Sequence, residues 1–239
     1  MQVASHNESF LDGSVPARHS RSVGTRVNQK ARTRAAIVQA VHELARSGAE
    51  ITMPSVAQAA LVSEATAYRY FPDLVTLLLE ADQGTWPDPA EALAPVAYSG
   101  DPVERIGFAT RLLLDGVLAN ESAVRAMIAG SITRPGLAAR RPGHRFRLID
   151  TALAPAAGRL DPVALAQLRR DLAVVVSADA LFTLTDLCEL SRPDAVDSAV
   201  HTARALTEAA FRAAFAEHFT TIDELTLANG RLMLHLQKR

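Results

Sequence analysis

The chain has 239 residues, 49% of them hydrophobic and 21% charged, with a net charge of −1 and a single cysteine. This is the composition of a globular protein with material for one large or two modest cores, and no apolar run approaches the roughly 18 residues of a membrane span. Cys188 alone excludes an intramolecular disulfide framework and a cysteine-cluster metal site, and suits a reducing cytoplasm; no apolar leader core with a cleavage site is visible at the N-terminus.

The near-neutral total conceals an asymmetry. Between Gly13 and His42 stand Arg18, Arg21, Arg26, Lys30, Arg32 and Arg34 with no acidic residue, whereas from residue 81 onward 19 Asp and Glu outnumber 17 Lys and Arg. A basic end on a slightly acidic body is the charge pattern of a nucleic-acid-binding head. Residues 1–25 read as a disordered arm. A first helix is expected from Gln29 to about Ser47, ending at Gly48, with Ile37, Val41 and Leu44 on its buried face. His42 reads as a surface or structural histidine.

The stretch from Thr52 to Phe71, TMPSVAQAALVSEATAYRYF, reads as a helix-turn-helix. Thr52 caps a short helix to about Ala60, with Pro54 where its missing N–H costs nothing. Leu61 and Val62 form the turn, and Ser63 caps a second helix that opens on small side chains. Such a helix can enter a major groove: Ala65 and the Thr66 methyl suit a thymine methyl, the Ser63 and Thr66 hydroxyls suit phosphate or base, and Glu64 can accept from cytosine. Tyr68, Arg69 and Tyr70 reach further, to phosphate oxygens. Phe71 is expected in the core. With Arg26, Lys30, Arg34 and Thr52, these form the expected DNA-binding set.

From Gln29 to Leu79 the chain resembles the TetR family of transcriptional regulators. The order Thr52, Ala57, Ala60, Val62, Ser63, Thr66, Tyr68, Tyr70, Phe71 and Leu77 carries the resemblance. It departs where the family commonly has glycine (Leu61 and Ala65 here), leucine (Ala67) and lysine (Leu74). The Leu74 change would remove a phosphate contact in each subunit. The resemblance implies an all-α fold, with an N-terminal three-helix helix-turn-helix domain followed by a larger helical domain for effector binding and dimerisation.

Pro72 and Asp73 open a fourth helix, expected to run through about Gln83 and to link head and body. Residues 84–102 hold four prolines and two glycines and mark the boundary, so that 26–83 form the head and 84–239 the body, with a helical turn near Ala90 to Leu93 and Trp86 as a linker anchor or part of a pocket wall, the anchor favoured. Beyond it, helices are expected over Val103–Leu118, Ser122–Ala129 and Phe146–Ala157, from Asp161 to about Leu190, and from Asp194 to Phe219. A basic loop with Arg140 and Arg141 separates the second from the third. The last long helix carries Ala199, Ala203, Leu206, Ala210 and Ala213 along one face; this stripe suits burial within one subunit as well as a dimer interface, and the resemblance favours the dimer. The end, Ile222 to Arg239, alternates like a strand at Leu232, Leu234 and Leu236 but is compatible with a helix.

No glycine-rich phosphate loop, metal-spaced histidine cluster or nucleophile motif is present, so neither enzyme activity nor a cofactor is expected. Phe108, Arg111, Asp115, Met127, Arg147, Asp179, Phe182, Thr183 and Asp186 are polar or polarisable groups on otherwise apolar helices. They are the candidates for the effector site that the resemblance implies. The expectation is a homodimeric, cytoplasmic, ligand-responsive repressor with a double-stranded palindromic operator and an unknown small-molecule effector as partners, and no membrane. The alternative is a helical ligand-binding or enzymatic protein whose head has lost DNA binding.

Overall fold

In a computed structural model, residues 20–133, 136, 142–226 and 232–238 are described, and the fold is all-α apart from a short C-terminal hairpin. Helix α1 (Ser20–Ser47) begins nine residues before the expected Gln29. Residues 20–25 therefore belong to a helix and not to an arm, while 1–19 lie outside the described residues. Ser, Gly and Thr between 20 and 25 are weak helix formers, but no proline intervenes before Pro54 and extending an existing helix needs no new nucleus. At the other end the Gly48 N–H donates to the Ala45 carbonyl and the Ala49 N–H to that of Leu44, with Gly48 at φ 71°: a left-handed cap that satisfies two orphan carbonyls.

Helices α2 (Met53–Ala59), α3 (Glu64–Tyr70) and α4 (Leu74–Ala81) complete the head. Ile37 and Val41 of α1, Val56 and Ala57 of α2, Ala67 of α3, Phe71, and Leu77 and Leu78 of α4 form one buried cluster. Phe71 is fully buried, as its place after EATAYRY predicts, and burial of such a ring contributes about 2–3 kcal/mol.

The turn between α2 and α3 repeats the cap at Gly48 with the wrong residue. Leu61 donates to Gln58 and Val62 to Ala57, and Leu61 sits at φ 55° with its side chain 92% exposed. A left-handed leucine costs about 1–2 kcal/mol, against which glycine's greater freedom in the unfolded chain weighs about 0.5–1 kcal/mol. Leu61→Gly should accordingly stabilise the protein by about 0.5–1 kcal/mol, since no buried contact is lost. A denaturant titration showing no gain would mean that the exposed leucine has a partner of its own.

Residues 84–101 carry the short α5 (Pro89–Ala92) and a 3-10 turn over Ala94–Val96, close to the expected helical turn. The body follows as α6 (Pro102–Ala119), α7 (Glu121–Thr133), α8 (His144–Leu153), α9 (Pro162–Val175), α10 (Ala178–Asp186) and α11 (Arg192–His218). Helix α8 is shorter than expected and gives way at Ala154 to a 3-10 turn through Arg159. Arg140 and Arg141 of the basic loop lie outside the described residues.

The single long helix expected from Asp161 is two helices. Its helical hydrogen bonding is interrupted at Val176 and Ser177, where the Ser177 hydroxyl donates to the Val174 carbonyl and accepts from the Ala180 N–H. A serine that closes one helix and caps the next, after the β-branched run Val174 to Val176, makes the break locally favourable.

Helix α11 packs along α6. Ala199 and Ala203 are buried within one chain, Leu206 and Ala210 pack half-buried on the body core, and Ala213 is exposed, so the stripe that the resemblance assigned to the dimer interface serves the subunit's own core in all but its last residue. Beyond α11, β1 (Phe219–Thr226) pairs antiparallel with β2 (Leu232–Lys238), with Thr226 opposite Leu232 and Phe219 opposite Lys238. Of the two conformations the sequence left open for this end, the strand is adopted. No helix among the described residues is long and apolar enough to cross a membrane.

Candidate nucleic-acid interface and adjoining cavity

Helix α3 is anchored on one side and open on the other. Ala67 is buried against the head, while Ser63, Glu64, Ala65, Tyr68 and Arg69 are exposed, Tyr68 at 48%. The Ser63 hydroxyl accepts from the Thr66 N–H at 3.2 Å and donates to the Thr66 hydroxyl at 3.0 Å. Both hydroxyls are thereby preoriented at the helix start, where Glu64 also meets the positive end of the helix. Tyr70 is half-buried and packs on the head core.

Three residues of the expected DNA-binding set have other duties or lie beyond view. The Thr52 hydroxyl accepts from the Ser55 N–H while the Ser55 hydroxyl accepts from the Thr52 N–H, a reciprocal cap that starts α2. Arg34 bonds the Glu80 carboxylate, with Nε at 2.6 Å, donates to the Tyr70 carbonyl at 3.3 Å and lies 4.3 Å over the Phe71 ring. It clamps α1 to α4 and to the end of α3, and the Glu80 hydrogen bond raises its already high pKa. Arg34, expected in the DNA-binding set, is thus engaged within the head while 42% of its side chain stays exposed. The Arg26 side chain lies outside the described ones; Lys30 and Arg32 are exposed within about one turn of Arg34.

Beneath the head lies a cavity of about 140 Å³. Val41, His42 and Ala45 of α1 and Leu78, Ala81 and Asp82 at the end of α4 line it from above, while Leu113 and Val117 of α6 and Val124, Met127 and Ile128 of α7 form apolar walls below. Trp86 closes one side. Its indole N–H donates to Asp82 Oδ1 at 3.1 Å, its ring stacks on His144 with centroids 4.9 Å apart, and its edge rests so close to Gly116 that a Cβ there would stand 2.5 Å from the ring. His144 Nε2 lies 2.7 Å from Asp82 Oδ2. Asp82 belongs to the head and His144 to the body, so this trio ties the two together across the cavity wall.

Of the nine expected effector residues, only Met127 and Asp179 line the cavity. Asp186 accepts from both terminal nitrogens of Arg125, whose Nε donates to Glu121 and whose guanidinium lies 3.8 Å over the Phe182 ring. That clamp draws the Asp186 carboxyl down to about 2, chiefly through the Arg125 hydrogen bonds. Arg111 pairs with Asp197, Arg147 with Asp88, and the Thr183 hydroxyl with the Asp179 carbonyl. Phe108 packs against the body core, and Asp115 is exposed. These seven are surface ties and packing groups. Trp86 takes both roles the sequence offered for it, linker anchor and pocket wall, while His42, Asp82 and His144 were missed as cavity residues, because residues so distant in the chain give no periodic signal.

No family model and no curated protein matches the chain. Among the described residues, no group of three histidine, cysteine or acidic side chains is placed to hold a metal ion.

Proposed function

We propose that the chain is a cytoplasmic, sequence-specific transcriptional regulator, a homodimer that represses from a palindromic operator and is released by a small molecule bound beneath the head. The observation that carries this reading is α3: its small and polar N-terminal residues, with Tyr68 and Arg69, stand exposed on a helix fixed from behind by Ala67 and by Phe71 at its C-cap. Lys30 and Arg32, exposed in the first half of α1, supply further positive charge for phosphates. For dimerisation, support comes from α11, whose outward face carries Thr202, Ala205, Ala209 and Ala213 at helical spacing, small enough for two helices to approach closely.

The effector site fits the cavity because its walls come from both head and body. A ligand shifts the equilibrium between DNA-competent and released forms only through different affinity for the two, and a cavity between moving parts provides that difference. A second reading, a ligand-binding protein whose head no longer reads DNA, draws on Leu61 and on Leu74, which stands where the resembling family has a phosphate-binding lysine and packs half-buried against the head core.

Selection of random duplexes by the purified protein, run beside a Tyr68→Ala, Arg69→Ala double variant, decides between them. Both side chains are exposed, so the head should stay folded. The wild type should enrich a palindrome. The variant should bind it at least tenfold more weakly, with the salt slope lowered by about 2 as one phosphate contact is lost per subunit. If neither protein enriches any sequence, the second reading takes over.

A further inference from the structure

We propose that the first half of α1 is a second DNA-binding element, a basic helical rod that grips duplex phosphates outside the half-site met by α3. This rests on the DNA-binding reading above and deepens it, because it makes affinity depend on the DNA that flanks the palindrome.

Val27 to Arg32 are exposed one after another, hence on every side of the helix, and the buried face of α1 begins only at Ile37. These turns are held by their own hydrogen bonds alone, a marginal state for helix in water. Ser20 to Arg34 carries five basic residues, Arg21, Arg26, Lys30, Arg32 and Arg34, and no acidic one, so no ion pair between neighbouring turns steadies it. Val27 is its one large exposed apolar side chain, too little to fill an apolar groove. A surface of this kind is completed by a polyanion, and a duplex presents one negative charge at every phosphate.

The place of the rod in the fold points to the same partner. Arg34 donates to the Tyr70 carbonyl at 3.3 Å, so α1 leaves the head beside the C-terminal end of α3. Lys30 and Arg26 precede Arg34 by one and two turns on the same stripe, in steps of about 6 Å leading away from α3. Elsewhere between 27 and 83 the exposed cations are Arg69, on α3 itself, and Arg46, which donates to the His42 carbonyl and stands in the chain between exposed Glu43 and Glu50. Ser20 to Thr33 spans about 20 Å, the rise of about six base pairs, long enough to reach past the bases that α3 covers.

The test uses the palindrome recovered by the selection above in two duplexes. One ends at its last base pair; the other carries a further helical turn, about ten base pairs of arbitrary sequence, on either side. The full-length protein should bind the longer duplex at least about tenfold more tightly at low salt, with a salt slope steeper by about 2–4, one or two added phosphates per subunit. Arg21→Gln, Arg26→Gln, Lys30→Gln and Arg32→Gln made together remove the charges and keep good helix formers ahead of the buried face, and circular dichroism checks that the helices persist. In this variant the preference for the longer duplex should fall to about twofold or less, with wild-type affinity for the shorter one. In the wild type, amides between 27 and 34 should exchange more slowly on the longer duplex than on the shorter. Equal wild-type affinity for the two duplexes, a preference that survives in the folded variant, or an equal loss on both would each overturn the proposal while leaving palindrome recognition intact. Failure to bind any duplex would overturn it together with the DNA-binding reading.

Discussion

Replacing Arg105 with leucine should destabilise the protein by about 3 kcal/mol or more, lowering the unfolding midpoint by roughly 6–12 °C for a chain of this size. Arg105 is a buried cation, 5% exposed, that faces backbone and no carboxylate. Its Nε donates to the Ala152 carbonyl at 2.9 Å, Nη2 to Thr151 at 3.0 Å, and Nη1 to Val96 at 2.5 Å and Ala97 at 3.3 Å. Thr151 and Ala152 lie in the last turn of α8, where carbonyls have no partner within the helix and the dipole is negative. One planar fork thus satisfies the end of α8 and the linker's 3-10 turn together, and fixes the linker onto the body beside Trp86. Leucine fills the space but leaves these carbonyls dry, at about 1–3 kcal/mol for each that water cannot reach. Lysine, with a single ammonium in place of the fork, should recover only part of the loss. A leucine variant that melts where the wild type does would show that water replaces the guanidinium.

Gly130→Ala is expected to destabilise the protein by about 1 kcal/mol or more, although helix propensity alone predicts a gain of about 1 kcal/mol in mid-helix. Gly130 is the point where α7 lies against α4, and a Cβ there would stand 2.3 Å from Val75 Cγ2. A valine held in one rotamer on a helix cannot swing away cheaply, so the two helices must part, and overpacking of this kind costs about 1–3 kcal/mol. Val75→Ala in the same chain makes room. The double variant should then lose at least about 1 kcal/mol less than the sum of the two single losses in denaturant titrations. Strict additivity would mean that α7 yields without strain. The contact bears on the proposed function because α4 carries Leu77 and Leu78 into the head core, so any displacement at Gly130 is passed to the helices that present α3.

Much of the head was legible in the chain because its signals are local. Thr52 and Ser63 cap the helices they precede, Gly48 ends α1, and Ala67 and Phe71 are buried where their spacing places them. Each of those outcomes depends on residues within one or two turns, which is the range over which capping and periodicity act. The start of α1 was missed for the converse reason: weak formers from Ser20 to Thr25 look like coil in isolation but extend a helix nucleated elsewhere. Val176 and Ser177 were read through as helix because apolar periodicity continues across them, while the serine's two hydrogen bonds decide the break.

Arg34 and Asp186 show where sequence reasoning ends. A basic residue before a helix-turn-helix and an acidic one on an apolar helix look like ligand-binding groups, yet Glu80 lies 46 positions from Arg34 and Arg125 lies 61 from Asp186, and those partners engage both. By itself the sequence determined the all-helical class, the caps of α2 and α3, the end of α1 and the open face of α3, because these follow from hydrogen bonds and burial patterns among near neighbours. The tertiary structure alone decided which charges are engaged internally, that the alanine stripe from Ala199 to Ala210 packs inward on the body core, and that Asp82, Trp86 and His144 meet at one cavity. Pairing across long stretches of chain is set by how helices pack, and no local pattern encodes it.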